Sequence, residues 1–507
     1  YLLCQNDIRR EIGIFRMTSK TGKKKTVYAA FIDGATAEAY GYLKNDLLKV
    51  DVVKVNAEVY KKIGIPQPTV PELIAMTAND APTWSMYEKG LTMGLNQAEK
   101  EKSTEKVKRY KPKNISELSA FVAGIRPAFQ SMLNNLLDRR HFDYGIPVLD
   151  DLLQTKEMPS SFVLYQEQMM KVLQYGGFTA PESYAAIKAI AKKHPEKVKP
   201  LKERFCQCFA RRLADEEHVP ESIAVETTDK VWTIISDACG YGFNSSHAVA
   251  VALDSLYTAW AKAHHPYETY VTLLDNYAKK GDKKRIDLIK QEMKQGFGIR
   301  IAPCKFHQDN TTYYIDKENK TISDALNSIK GVGMKDANAL CSLGGNSYAC
   351  FVDLLFDLVM KVSGACNAGV IDTLIRAGYF SEFGSAGKLL KVFHELTDGK
   401  MRIYKNLSLT TIDKRLEWLE AYEAGLPEED LPMKDVMSFE VGHYGTPITE
   451  YPKMVGCFAV VDVDATYSPK VKLYNVARGT VGLMKVRKPT FNKEPLQIGD
   501  VIRLESW

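Results

Sequence analysis

Residues 237–266 read DACGYGFNSSHAVAVALDSLYTAWAKAHHP, and this block limits the fold more than any other stretch of the chain. Gly240 and Gly242 permit backbone angles that other residues resist, so a tight turn forms easily there. Asn244 or Ser245 can cap the first free amides of a helix. Val249, Leu253, Leu256 and Trp260 then recur at helical spacing until Pro266 ends the run. The small residues Ala248, Ala250 and Ala252 let another backbone come close. A helix that only packs has no need of Tyr241, Phe243, Asn244 and His247 in the turn before it. His264 and His265 suit the negative end of the helix, whereas a cation at His247 is disfavoured by the positive end. A neutral, hydrogen-bonding imidazole fits there, although a lone histidine is more often packed in a core.

A chain of 507 residues can bury several cores, so three or four domains are expected. With 45% hydrophobic and 26% charged residues, the composition is that of an ordinary soluble globular protein. No apolar run is long enough to cross a bilayer, and no signal peptide is visible. Of the nine cysteines only Cys206 and Cys208 lie close together, which is not zinc-ligand spacing; reduced thiols in a cytoplasm are expected. The first residue is Tyr1 rather than Met, which suits a piece of a longer protein or a processed product.

The net charge of +6 is mild, but basic residues gather at 20–26, 102–113, 192–205 and 279–285. Such runs suit a polyanion such as nucleic acid. Each run alone is better explained as a solvated face, because acidic residues interleave most of them.

Along the chain, VYAAFI and LLKVDVVKV predict strands, the second alternating so that Lys49, Asp51 and Val53 share a face. Residues 57–140 predict helices around a basic loop, with one helix ending near Arg126–Pro127. Residues 150–300 predict mainly helix, TTYYIDKENKTIS a β-like insert, 350–396 helix again, and 453–507 short strands in a small β-barrel or sandwich. In SIKGVGMKDANAL, Lys330, Gly331, Gly333 and Lys335 fit a hairpin that aims backbone amides at a phosphate; the plain alternative is a helix connector. Asp51 is a candidate metal ligand, though a salt bridge to Lys49 is the simpler explanation of its charge. Asp462 and Asp464 predict the solvent side of a strand. Tyr467, Tyr474 and Phe491 lie among Lys470, Lys472, Arg478, Lys485, Arg487 and Lys488, a mixture suited to stacking on single-stranded bases.

Taken in order, LLKVDVVKVN, YEKGLTMGLNQAE, ISELSAFVAGIRPAF, VLYQEQMMKVLQYGGFTAPESYAAIKAIAKK, CGYGFNSSHAVAVALDSLYTAWAKAHHPYE, IKGVGMKDANAL and NAGVIDTLIRAGYFSEFG resemble the C-family replicative DNA polymerases, the bacterial and phage DNA polymerase III alpha subunits. The resemblance implies an α+β multidomain chain. Residues 1–140 would hold a partial nucleotidyltransferase palm with the third catalytic aspartate on a strand, and 141–300 mainly helical fingers. A helix-hairpin-helix DNA-binding region at 301–400, a connector at 401–452 and an OB-like barrel at 453–507 would follow. It implies Asp51 as a ligand of catalytic Mg²⁺ with Lys49 beside it, and Arg126, Lys188, Lys192 and Lys193 around the triphosphate. Tyr241, Asn244 and His247 would face the cleft, while Lys330, Gly331, Gly333, Lys335, Tyr474, Arg478 and Lys485 would contact DNA.

Departures are specific. The family's fingers arginine pair reads Ile187–Lys188, and its arginine-proline-glycine ends in Ala128. No D-x-D pair precedes Asp51, no phosphoesterase-like domain is present, and no clear sliding-clamp peptide is found. The expected function is template-directed DNA synthesis by two-metal nucleotidyl transfer, on primer–template DNA with dNTPs, completed by a second polypeptide or segment carrying the N-terminal palm. The alternative is a non-catalytic DNA-binding factor derived from a polymerase; a nuclease lacks a supporting histidine and carboxylate cluster.

Overall fold

Helices form where apolar residues recur three and four apart, and the strands are short. The computed structural model describes residues 2–3, 7–18, 26–44, 50–126, 129–192, 195–240, 242–360 and 366–504. They fall into two units, residues 1–54 and 55–507. No helix among the described residues is long and apolar enough to cross a membrane, and the eight described cysteines are free thiols.

In the first unit the described strands are β1 (Leu2–Leu3), β2 (Ile14–Thr18), β3 (Thr26–Ala30) and β4 (Leu43–Lys44). β1 pairs with β4 and β2 with β3, both antiparallel, so a strand does lie in VYAAFI. The second expected strand is a correction: Asp51 opens a helix, Asp51–Ile63. Alternation over 49–54 is outweighed by a longer helical period that buries Val55, Asn56, Val59 and Tyr60 on one stripe. The Asp51 carboxylate in the first turn also suits the positive end of the helix dipole. Lys49 lies outside the described residues.

The second unit holds three main cores. One joins residues from Val55–Leu137, with Phe162 and Leu164, to residues from Ala248–Ile322. Another is drawn wholly from Ile146–Cys239, and a third from Cys304–Leu419. The chain thus leaves the first core, builds a helical excursion, and returns through the turn that precedes the Ser245–His264 helix. That helix buries Ala248, Val251, Ala252, Ser255, Leu256 and Ala259. Of the three small residues Ala248 and Ala252 are buried, but Ala250 and Val249 are exposed, because the buried stripe runs through Ala248, Val251, Ala252 and Ser255.

A buried charge fixes the same helix. Lys262 is 0% exposed; its Nζ donates to Leu91 O at 3.0 Å, to Met93 O, and to Glu292 Oε1 at 2.7 Å. Tyr270 donates to Glu292 Oε1 at 2.8 Å, and the Met93 N–H to Glu292 Oε2 at 2.8 Å. Every arm of the ion pair is therefore used, as a buried pair requires. At the helix end His264 contacts Asp80 at 2.8 Å, beside the expected dipole role.

The basic stretch at 102–113, expected as a loop, is mostly the Glu101–Tyr110 helix. Its cations reach carboxylates: Lys108 to Glu105, Arg109 to Asp138, Lys111 to Glu88. Later runs do the same through Lys202–Asp229, Arg204–Glu182 and Arg285–Glu99. These pairings favour the solvated-face explanation.

β5 (Arg300–Ala302), β6 (Tyr314–Asp316) and β7 (Thr321–Ser323) form a sheet in the order β5-β7-β6, as the β-like insert predicts. At the far end β8 (Cys457–Asp464), β9 (Lys470–Asn475), β10 (Thr480–Lys485) and β11 (Val501–Arg503) form an antiparallel sheet in the order β10-β9-β8-β11. Among the described residues this sheet is open, with β10 and β11 at its edges, not a closed barrel. Met437 of the Met433–Tyr444 helix packs on one face with Ala459, Val461 and Tyr474. Phe491 of the Lys488–Lys493 helix packs on the other with Phe458, Val460 and Leu473. Asp462 and Asp464 face solvent opposite Lys472 and Lys470, as expected.

Candidate functional site

The return turn is held to the start of the excursion by main-chain bonds. The Phe243 N–H donates to Leu164 O at 3.0 Å, and the Gln166 N–H to Phe243 O at 2.9 Å, a parallel bridge between Tyr165 and Phe243. Gly242 lies so near the buried Met169 methyl that a Cβ would collide with it. Asn244 Oδ1 then accepts the His247 N–H at 2.9 Å and caps the helix. Glu167 accepts the Ser245 N–H at 3.0 Å, using another of the first-turn amides.

On this frame the Arg126 guanidinium lies over the Phe243 ring at 4.1 Å, and the His247 ring meets that ring edge-on at 5.2 Å. A cation on an aromatic face is held without a carboxylate, so its charge stays available. Asn244 and His247 are exposed, which overturns the packed-core alternative for this histidine. Arg126 therefore meets Asn244 and His247, more than a hundred residues further along the chain, at the N-terminus of the Ser245–His264 helix. That end carries partial positive charge, although its Ser245 amide is already taken by the Glu167 carboxylate, so among the described residues the stacked guanidinium is the free cation there. The arrangement can receive an anionic group.

Other expected positions stand elsewhere. Lys188 is exposed on the Ala180–Ala191 helix with its Nζ 4.3 Å over the Tyr184 ring, and Lys192 is exposed at that helix's C-cap. Ile187, where the family carries an arginine, is buried in the excursion's core. Lys193 and Tyr241 lie outside the described residues. Asp51 is exposed at its helix start. Among the described residues no group of three or more His, Cys, Asp or Glu side chains could hold a metal ion. These residues do not by themselves fit a two-metal centre.

In the hairpin, Lys330, Gly331, Gly333 and Lys335 are exposed. The Gly333 N–H already donates to Asp336 Oδ2 at 2.6 Å, so a carboxylate occupies the position expected for a phosphate. In the terminal sheet Arg478 and Lys485 are exposed, but Tyr474 is 4% exposed and its ring belongs to the core. This corrects Tyr474 as a stacking residue. The cause is the Met433–Tyr444 helix, which covers that face. Tyr467, at 87% exposure, is the aromatic that remains open. Sequence reasoning missed Glu167; its place at the start of the Gln166–Tyr175 helix, in the YQEQMM stretch, was the available signal.

An exposed helix start carrying a stacked arginine, entered from a helical excursion, is the kind of site a nucleotide-handling finger domain needs. The comparisons agree with that class. The model of the bacterial DNA polymerase III alpha subunit finger domain matches residues 55–212. The chain is 27% identical over 453 residues to the DNA polymerase III subunit alpha of Aquifex aeolicus, covering 86% of this chain and 35% of that protein. It is 26% identical over 456 residues to the Thermus aquaticus subunit, with 86% and 35% covered. Against the Campylobacter jejuni subunit it is 30% identical over 319 residues, with 62% and 25% covered. The resemblance to C-family DNA polymerase III alpha subunits is thus borne out over most of the chain, which spans about a third of the length of these relatives.

Proposed function

We infer that this chain is the finger-bearing part of a replicative DNA polymerase and that the return turn meets the phosphates of an incoming dNTP. The observation that carries this is the Arg126 guanidinium stacked on Phe243 beside the exposed Asn244 and His247. Guanidinium groups and helix N-termini both favour phosphate oxygens. Lys188, Lys192 and Lys193 would add cationic charge along the fingers. Primer–template DNA would be engaged by Lys330 and Lys335 at the hairpin, and by Tyr467, Arg478 and Lys485 of an OB-like terminal module. Asp51 would give one carboxylate to a divalent-metal site, with Lys49 beside it. The remaining carboxylates would come from a palm segment or a second polypeptide. The whole protein would then carry out template-directed attack of a primer 3′-hydroxyl on the nucleotide α-phosphate.

A second reading, a DNA-binding factor without synthesis, rests on the exposed cations Lys330, Lys335, Arg478 and Lys485, which suit a DNA backbone whether or not nucleotides are joined. Asp51→Asn separates the two. In a primer-extension assay with the completing polypeptide present, the polymerase reading expects synthesis to be lost while DNA affinity is kept. Unchanged primer extension by Asp51→Asn would rule out the role given to Asp51, and absence of extension by the unaltered assembly would favour the binding factor.

A further inference from the structure

The Lys283–Phe297 helix, β5 and the β9–β10 turn enclose a cleft of about 740 Å³. Pockets of this size hold one drug- or nucleotide-sized molecule. Part of its wall is apolar, formed by Ile301, Pro303, Pro447 and Ile448. Four cations also line it. Two of them are matched: Lys290 lies 3.6 Å from Asp324, and Lys294 lies 2.5 Å from Glu450. The lining carboxylate Asp287 is matched from outside by Lys472 at 3.4 Å. The other two cations, Arg300 and Arg478, are exposed and have no carboxylate partner among the described residues. The cleft therefore keeps two uncompensated guanidinium groups, a charge that a concave, low-dielectric wall concentrates.

Both arginines stand on fixed backbone. Asn475 Oδ1 accepts the N–H groups of Ala477 at 3.1 Å and Arg478 at 3.0 Å, which closes the β9–β10 turn. Lys294 Nζ donates to Arg478 O at 2.8 Å and ties that turn to the Lys283–Phe297 helix. Gly479, at φ +63°, permits this approach, because a Cβ there would strike Lys294 Nζ and Glu450 Oε1. Across the cleft the Arg300 N–H donates to Lys320 O at 3.0 Å, where β5 joins its sheet. Each guanidinium offers a planar fork that matches phosphate oxygens.

The geometry points to a second nucleotide site: we propose that this cleft binds a free nucleoside polyphosphate, its phosphates on Arg300 and Arg478 and its base against the apolar wall. No residue of the return turn takes part. The full chain is titrated by calorimetry with dATP, with inorganic tripolyphosphate and with a short oligothymidylate, as the native sequence and as two variants. The first variant is Arg126→Ala, which removes the return turn's guanidinium, and the second adds Arg300→Ala and Arg478→Ala to it. Loss of charge-assisted bonds at the two arginines should weaken dATP binding roughly 10- to 100-fold. The Arg126→Ala chain is the baseline for that comparison, and tripolyphosphate should compete with dATP on it. Two results would overturn the proposal: no dATP binding by the Arg126→Ala chain, or dATP binding to that chain that survives loss of Arg300 and Arg478. If loss of both arginines weakens only oligothymidylate binding, the cleft takes a strand and not a free nucleotide.

Discussion

Arg126 shows how a residue can be named from sequence and still need a structure to give it a task. Its position beside Pro127 marks a helix end, but nothing local says that its guanidinium will rest on Phe243, 4.1 Å away and across the chain. The stack explains why lysine is a poor replacement: an ammonium has neither the planar face nor the fork. If the return turn meets a dNTP, Arg126→Ala in the complete polymerase should raise KM for dNTP about 10- to 100-fold, the worth of a charge-assisted hydrogen bond. Arg126→Lys should recover only part of the loss. Steady-state primer extension at varied dNTP measures both, and unchanged KM in the alanine variant would remove Arg126 from the site. Lys262 makes the opposite case, since sequence gave no hint that a lysine would be wholly buried. Lys262→Met leaves Glu292 charged and unpaired, which should cost about 3–5 kcal/mol. Adding Glu292→Leu should return much of that stability, and urea melts of the single and double variants give the comparison.

At the scale of elements, the sequence was most informative where a period ran long. The Ser245–His264 helix, its Asn244 cap and the short β insert are all found where spacing predicts them. The segment around Asp51 misled because six alternating residues fit a strand as well as one turn of helix, and the deciding contacts, Asn56 and Tyr60, lie further on. Tyr474 misled for a longer-range reason. Only the Met433–Tyr444 helix, from a stretch expected to be a mere connector, shows which face of β9 is covered. Some element contacts titrate. Arg204 bonding, with the Thr179 amide, holds the Glu182 carboxyl at about 2 against an ordinary 4.5. A carboxyl depressed on folding stabilises fully above its unfolded value and loses that contribution as pH falls toward the folded one. The Ala180–Ala191 cap and its tie to the Pro195–Glu216 helix should therefore weaken between about pH 4.5 and 2. In Glu182→Gln this part of the acid transition should disappear, as followed by circular dichroism. An unchanged acid profile would show that the pair does not contribute.

For the whole molecule, the organisation of cores matters more than the order of elements. Every buried residue of the excursion's core lies between Ile146 and Cys239, while the core before it takes only Phe162 and Leu164 from that span and resumes at Ala248. The chain enters and leaves the excursion at neighbouring points, because Tyr165 and Phe243 are bridged. Inserted bodies with their own core and adjacent ends commonly fold alone. Its helices also contact near neighbours in sequence, Pro195–Glu216 against Glu221–Ala238 above all, so little long-range closure is needed. A fragment of residues 141–243 should therefore unfold in urea as one cooperative transition, with a slope of about 1–3 kcal/mol/M as for small domains. The same transition should be recognisable in the full chain, separate from that of the core containing Lys262, and Lys262→Met should shift only the latter. A fragment that melts without cooperativity, or a Lys262→Met chain in which both transitions move together, would mean that the return turn couples the two cores into one folding unit. In that case the turn's aromatic and polar side chains would matter for stability as well as for binding, and Phe243→Ala would be expected to lower the stability of both.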